Sequence, residues 1–437
     1  MTDPIRVTAR SPVRWRRTPV IVVGFAGAAV IAAVGLALSR PDVIGIALPL
    51  ALGAAWMLLR RPDDTEMSIE LRAHPGGTDD SPEVVAAVDV AVEADWLQVA
   101  IDLEERRAGL ADVRPGSAVL TSRTRIQHSG PVELLGLTVR AAALDGAWVS
   151  EPAHRVALDW NAPPRAPRIA RLPVAPRLTG LHGAHEGARP GQGGDFRDIH
   201  PFAPGDELRR VDWRATARAA RRPGELLVRR THTLSDSSVV IAVDTVENLG
   251  AVVASWGSDD ADRSGTTSLD LAREAALSIA TTAIGIGDRV AYHALSPGGR
   301  SIPSGGGTRH LARVRDVIAA TGQSTDDSRY RRSPVVPARS IVFVLSTFVD
   351  GVAARLATQW RAAGHAVVAV DVLPVPDSTR LTREQRIALR TLLAERSVVL
   401  AELRHAGVEV VAWTDPDVDV AMRLAALRQQ RMRAVRR

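Results

Sequence analysis

Between Gly193 and Arg218 the chain reads GGDFRDIHPFAPGDELRRVDWRATAR, dense in aspartate, arginine and aromatic residues and without a long apolar run. These residue types suit charge pairing, because a guanidinium fork grips a carboxylate through two parallel N–H bonds. Pro201, Pro204 and Gly205 punctuate the run as a turn leading into a short helix. Asp206 precedes Arg210 by four residues, the orientation of a helical ion pair worth about 0.2–0.5 kcal/mol. Arg210, Arg214 and Arg218 repeat at spacings of four, so a helix aligns their guanidinium groups along one side. Trp213 and Val211 point elsewhere and are expected to anchor the turn to a core. Two uses are open to this constellation, which also holds Arg209 and Asp212. One is an ion-pair network locking the turn to its sheet; the other is a contact surface for an acidic partner loop.

Other chemistry-bearing residues are sparse. His182 and His185, with Asp195, Asp198 and His200 downstream, have metal-ligating types, but their Gly-rich setting reads as a solvated lead-in. Asp259, Asp260 and Asp262 read as an exposed acidic loop. Cysteine is absent, which excludes disulfides, thiol nucleophiles and Cys-ligated zinc. All 55 basic residues are arginine, which excludes a Walker A loop, a Schiff-base enzyme and a Ser-x-x-Lys nucleophile. No Gly-x-Ser-x-Gly elbow, His-Glu-x-x-His pair or Gly-x-Gly-x-x-Gly after a strand occurs, so the expectation is no enzyme and no catalytic residues. A net charge of +6 is a modest excess and gives no ground for a nucleic-acid partner.

The elements that position these residues follow from hydropathy. Residues 1–19 carry Arg6, Arg10, Arg14, Arg16 and Arg17 and read as a basic cytoplasmic N-terminus. Val20 to Leu38 and Val43 to Leu59 are apolar, separated by Ser39-Arg40-Pro41-Asp42, and at about 1.5 Å per residue they approach the thickness of a bilayer core. Residues 20–59 thus read as two transmembrane helices of a multi-pass cell-membrane protein. Arginines at both outer ends place both termini in the cytoplasm.

Residues 63–164 alternate in short segments between Gly, Pro and Asp clusters and predict a β-sandwich-like domain, with strands near 67–72, 83–92, 97–103, 118–121 and 132–141. Residues 165–192 start rich in Pro, Ala and Arg and read as an extended linker. After the signature region 193–236, in which Glu225–Arg230 is expected to join the last sheet, residues 237–437 alternate strand and helix. Strands at 239–244, 290–295, 341–346, 366–372 and 408–413, with helices at 269–284, 310–320, 352–363, 383–405 and 418–435, predict an open, mostly parallel sheet covered on both faces. The last helix ends in Arg428, Arg431, Arg433, Arg436 and Arg437, read as the solvated basic end of a docked helix.

Phe196, Arg197, Pro204, Gly205, Asp206, Leu208, Arg209, Arg210, Asp212, Trp213, Ala217 and Arg218 closely resemble the signature of the domain of unknown function 58 family. The resemblance implies a membrane hairpin, a β-rich domain and a C-terminal α/β von Willebrand A-like (Rossmann-type) domain. It also implies a MoxR-type AAA+ ATPase as partner, with this chain a non-enzymatic adaptor in protein assembly, maturation or envelope-related processes. In a metal-binding von Willebrand A domain the first strand ends in Asp-x-Ser-x-Ser, whose oxygens suit a hard cation. Here the string is Asp244-Thr245-Val246-Glu247-Asn248, followed much later by Ser346-Thr347 and Asp350. Valine cannot ligate, so Asp244, Asn248 and Asp350 stand as remnants of a degenerate site and no cofactor is expected. The rival reading is a ligand binder dependent on Mg2+ or Mn2+.

Overall fold

The computed structural model describes the chain except residues 1–4, 64, 79–80, 104–105, 116–119, 126, 170–171, 174–184, 205, 236, 257–264, 325–332, 339, 415–426 and 428–437. It divides into two units, one of Met1–Ile126 with Pro131–Trp160, the other of Gln127–Gly130 with Asn161–Arg437. Gly205, His182, the acidic run 259–262 and the helix expected at 418–435, apart from Leu427, lie outside the described residues.

In the first unit, apolar residues hidden among the N-terminal arginines make strands. β1 (Ile5–Pro12) alternates half-buried and exposed positions, and β2 (Trp15–Arg17) follows at once. The basic segment 1–19 is therefore more than a leader to the helices: Val13 and Trp15 enter the domain core. Helices α1 (Pro19–Ala37) and α2 (Pro41–Leu59) come next, both long and apolar enough to cross a membrane. Gly24 faces Ala54 and Gly27 faces Leu50, small residues that let two helix backbones approach.

Strands β3 (Glu66–Thr78), β4 (Ser81–Ala91), β5 (Trp96–Leu103), β6 (Arg106–Val113) and β7 (Leu120–Arg125) follow. β8 (Gly130–Ala143), β9 (Trp148–Ser150) and β10 (Val156–Ala162) complete the unit. One sheet has the order β1-β3-β4-β7; the other has β2-β9-β8-β5-β6, with β10 on β8. Their inner faces share one core, in which Ile69 and Leu71 of β3 join Val99 of β5 and Leu137 and Val139 of β8. The period-2 alternation of those strands sets this core.

The second unit opens with β11 (His185–Pro201), the short helix α3 (Trp213–Ala219) and β12 (Leu227–Ser235). β12 contains most of the strand expected at Glu225–Arg230, but it pairs antiparallel with β11 and not with the large sheet. The chain reversal around Pro204 brings the two segments together locally, and closing a short loop costs less entropy than reaching a distant sheet edge.

The large sheet uses β13 (Ser238–Asp244), β14 (Arg289–Leu295), β15 (Ser301–Gly305), β16 (Ile341–Ser346), β17 (Ala366–Asp371) and β18 (Glu409–Ala412). Its order is β15-β14-β13-β16-β17-β18; β15 is antiparallel and the rest run parallel. α4 (Ser268–Gly285) and α5 (Thr308–Ala319) cover one face, α6 (Val352–Ala362) and α7 (Arg383–His405) the other. β13 and β16 are buried along their whole length, as expected of parallel strands covered on both faces. The segment expected to be an extended linker is also tied down, since Ile169 and Leu172 pack into the core beside α4. Apolar residues spaced among prolines supply that contact.

Candidate functional sites: the signature turn and the sheet crevice

In the signature turn, aspartates hold the backbone and most arginines face water. Leu208–Arg210 forms a single 3-10 turn, and Val211 then leaves it in an extended conformation. Val211 is buried and bridges Val228 of β12, so burial of that apolar side chain breaks the helix expected to run from Asp206 to Arg218. Asp212 caps a new helix, its Oδ1 accepting from Ala215 N at 2.9 Å, while its own N–H donates to Leu227 O at 2.8 Å. Thr216 Oγ1 accepts from Leu227 N at 2.9 Å, pinning α3 to the start of β12.

The expected Asp206–Arg210 pair does not form. Asp206 accepts from Ala203 N at 2.9 Å, and its carboxylate lies 3.3 Å from His200 Nε2 and 3.9 Å from Arg230. Arg210 lies 3.5 Å from Glu207, while Arg209, also paired with Glu207 at 2.5 Å, is largely exposed. Arg214 and Arg218 do share α3 and are exposed; with Asp212 and Ala215 they line a shallow concavity. Trp213, expected to anchor the turn, is instead 67% exposed, since α3 is held through Asp212 and Thr216 and not through its indole. Phe196, Ile199, Phe202 and Leu208 are exposed as well, and Arg229 stacks over Phe196 at 5.4 Å.

The large sheet has a second candidate site. Strand order reverses at β13, with β14 on one side and β16 on the other, and ligands of open α/β sheets bind outside the carboxyl ends of strands at such a point. Asp244 ends β13; its Oδ2 accepts from Ser346 Oγ at 2.8 Å and its Oδ1 from Val246 N at 3.2 Å. The Thr347 hydroxyl donates to Glu247. Arg396 reaches in from α7, donating Nε to Thr347 O at 2.6 Å and pairing with Asp371 at the end of β17. Phe348, fully buried, sits at φ +54°, a left-handed conformation that a bulky residue adopts only when its surroundings impose it. Burial pushes the Glu247 carboxyl up to about 7; the Thr347 hydrogen bond opposes the rise, nearby Asp350 and Asp244 add to it, and Arg396 resists it.

Two of the three residues read as remnants of a cation site have their side-chain oxygens turned to backbone N–H groups. Asn248 is exposed, with its carbonyl 3.4 Å from Leu269 N at the start of α4. Asp350 Oδ1 accepts from the N–H of Val352, the first residue of α6, at 2.8 Å. Val246 brings no oxygen side chain, and among the described residues no three His, Asp or Glu side chains gather as a metal site. With valine at one ligand position and the oxygens of Asn248 and Asp350 turned to helix starts, the site is expected to be degenerate. Millimolar MgCl2 is expected to leave the melting temperature unchanged; a rise that Asp244→Ala abolishes would reverse this assignment. Glu247 and Arg396 are the crevice residues that ligand-pattern reasoning missed. A second carboxylate three positions after the strand's terminal Asp244 was the available signal for Glu247; nothing local marks Arg396, which a distant helix delivers.

No curated protein and no solved structure matches the chain. Residues 198–395 match the model of the family described as protein of unknown function DUF58. The matched span takes in the signature turn and the strands of the crevice, and it supports the DUF58 family for this chain.

Proposed function

We propose that the chain is a membrane-anchored adaptor without catalytic activity of its own, working beside a MoxR-type AAA+ ATPase in protein assembly, maturation or envelope-related processes. The observation that carries the reading is the outward face of the signature turn. Trp and Arg are enriched at protein–protein hot spots and Phe in interfaces generally, and here Trp213, Phe196, Arg214 and Arg218 are exposed on one local module. Structural locking falls to Asp206, Asp212, Val211 and Thr216, and the exposed Arg214 and Arg218 of α3 are the arginines offered to an acidic partner loop. The absence of lysine fits an energy source on another chain. The α1–α2 hairpin supports membrane anchoring, with both termini cytoplasmic by its flanking arginines. The sheet order supports a von Willebrand A-like reading of the last domain.

Crosslinking in native membranes, followed by affinity capture, tests the partnership. Wild type is expected to recover an AAA+ ATPase, and a variant with Arg214→Ala and Arg218→Ala to recover at least tenfold less while keeping its melting temperature. No ATPase with either protein would remove the partner assignment.

A further inference from the structure

The hairpin is built into the core of the first unit. Ile21 of α1 is 4% exposed and belongs to the core cluster, and Met57 and Leu58 of α2 pack against it. Trp148 Nε1 donates to Met57 O at 2.8 Å, Trp15 Nε1 to Asp63 O at 3.0 Å, and Thr18 N to Ala147 O at 3.0 Å. These contacts shorten the helices available to lipid. From Val22 to Ala37, and from Pro41 to Trp56, each helix spans about 24 Å, less than a hydrocarbon core of roughly 30 Å.

Register identifies the end of the domain that the helices leave. Arg17 pairs with Trp148, Trp148 with Ala143, Ala142 with Trp96, and Val113 with Leu97. Arg17, Trp148, Trp96 and Arg114 therefore share one end of a sheet. There Arg17 stacks over Trp148 at 5.4 Å and Arg114 over Trp96 at 4.9 Å; on the helix side Arg60 stacks over Trp56 at 5.2 Å. Tryptophan and arginine concentrate at membrane–water interfaces because an amphipathic ring and a cation on an apolar stem suit the headgroup level. Asp95 and Asp145 share this end and offset part of its charge, so the fitting layer is the phospholipid headgroup region itself and not merely a strongly anionic surface.

We propose that this Trp–Arg end of the first unit lies in the headgroup layer, so that hairpin and β-domain enter the bilayer as one rigid body. The proposal rests on the reading of α1 and α2 as membrane spans. The absence of native cysteine makes any introduced cysteine a unique labelling site. Nitroxides are attached to Val30→Cys on α1, to Glu93→Cys in the β4–β5 connection, and to Gly109→Cys, where added side-chain atoms meet open space. Gly109 lies four residues along β6 from Val113, about 13 Å further from the helices. The full chain is reconstituted in phosphatidylcholine–phosphatidylglycerol vesicles, and collision with oxygen is compared with that of a water-soluble nickel chelate. The expected result is hydrocarbon at 30, headgroup at 93 and water at 109. Hydrocarbon at 30 with water at 93 overturns this proposal alone; water at 30 overturns it together with the membrane reading. Headgroup at both 93 and 109 overturns the end-on placement.

Discussion

Replacing Arg396 by alanine is expected to cost about 3–5 kcal/mol of stability, the penalty of removing one partner from a buried ion pair. Its side chain is 11% exposed and that of Asp371 13%, so the carboxylate left behind has little water to turn to. The same change removes the Nε donor from Thr347 O, at the step between β16 and α6 where Phe348 is already held in a left-handed conformation. The melting transition of the second unit is expected to fall by roughly 6–20 °C in the detergent-solubilised chain. Arg396→Lys is expected to lose less, since an ammonium keeps the charge but cannot make both contacts with one planar fork. A loss below about 1 kcal/mol for the alanine variant would show that Asp371 is solvated and that Arg396 does not hold the crevice together.

Arg396 also shows where sequence reasoning stops. The large sheet was legible because Val240, Val342 and Val367 sit in apolar runs of strand length separated by helix-length periods, a pattern few architectures satisfy. The hairpin was legible for the same reason, being apolar all round. The strand at 5–12 was not, because its arginines dominate the composition while the half-buried Ile5, Val7 and Ala9 between them carry the pairing. Ile169 and Leu172 were likewise masked by neighbouring prolines, although two apolar side chains are enough to tie an extended segment to α4.

At the sites, residue types were legible and partners were not. The signature contains the right charges, but spacing alone assigned Asp206 to Arg210, four positions on. The pairing turned instead on Val211, whose need for burial ended the 3-10 turn and handed Asp206 to His200 and Arg230, the latter on a strand over twenty residues away. Spacing rules describe a regular helix, and one apolar residue that must reach a neighbouring strand suspends them. Asp350 and Asn248 show a similar competition, in which helix starts claim oxygens that a ligand pattern would reserve for a cation.

Glu247→Gln is expected to stabilise the chain at neutral and alkaline pH and to flatten its pH profile. The ordinary value for this carboxyl is 4.5, and in the folded chain it is pushed up to about 7. Between those values the folded chain holds a proton that the unfolded chain has released, so stability falls as pH rises. The contribution is fully favourable below about pH 4.5, declines across the window, and reaches its full penalty above about pH 7. A shift of this size is worth about 3 kcal/mol when nothing screens it, and partial access to water leaves about 1–2 kcal/mol. Glutamine carries no charge and its carbonyl still accepts the Thr347 hydroxyl, so it keeps the contact and loses the penalty. Unfolding of wild type and variant from pH 5 to 8.5 is expected to diverge steadily up to about pH 7 and to run parallel above it. Arg396→Ala, by removing a cation that holds the carboxyl down, is expected to move the wild-type slope to higher pH. Identical profiles for wild type and Glu247→Gln would mean that the carboxyl is hydrated and that the crevice stands open to solvent at β13.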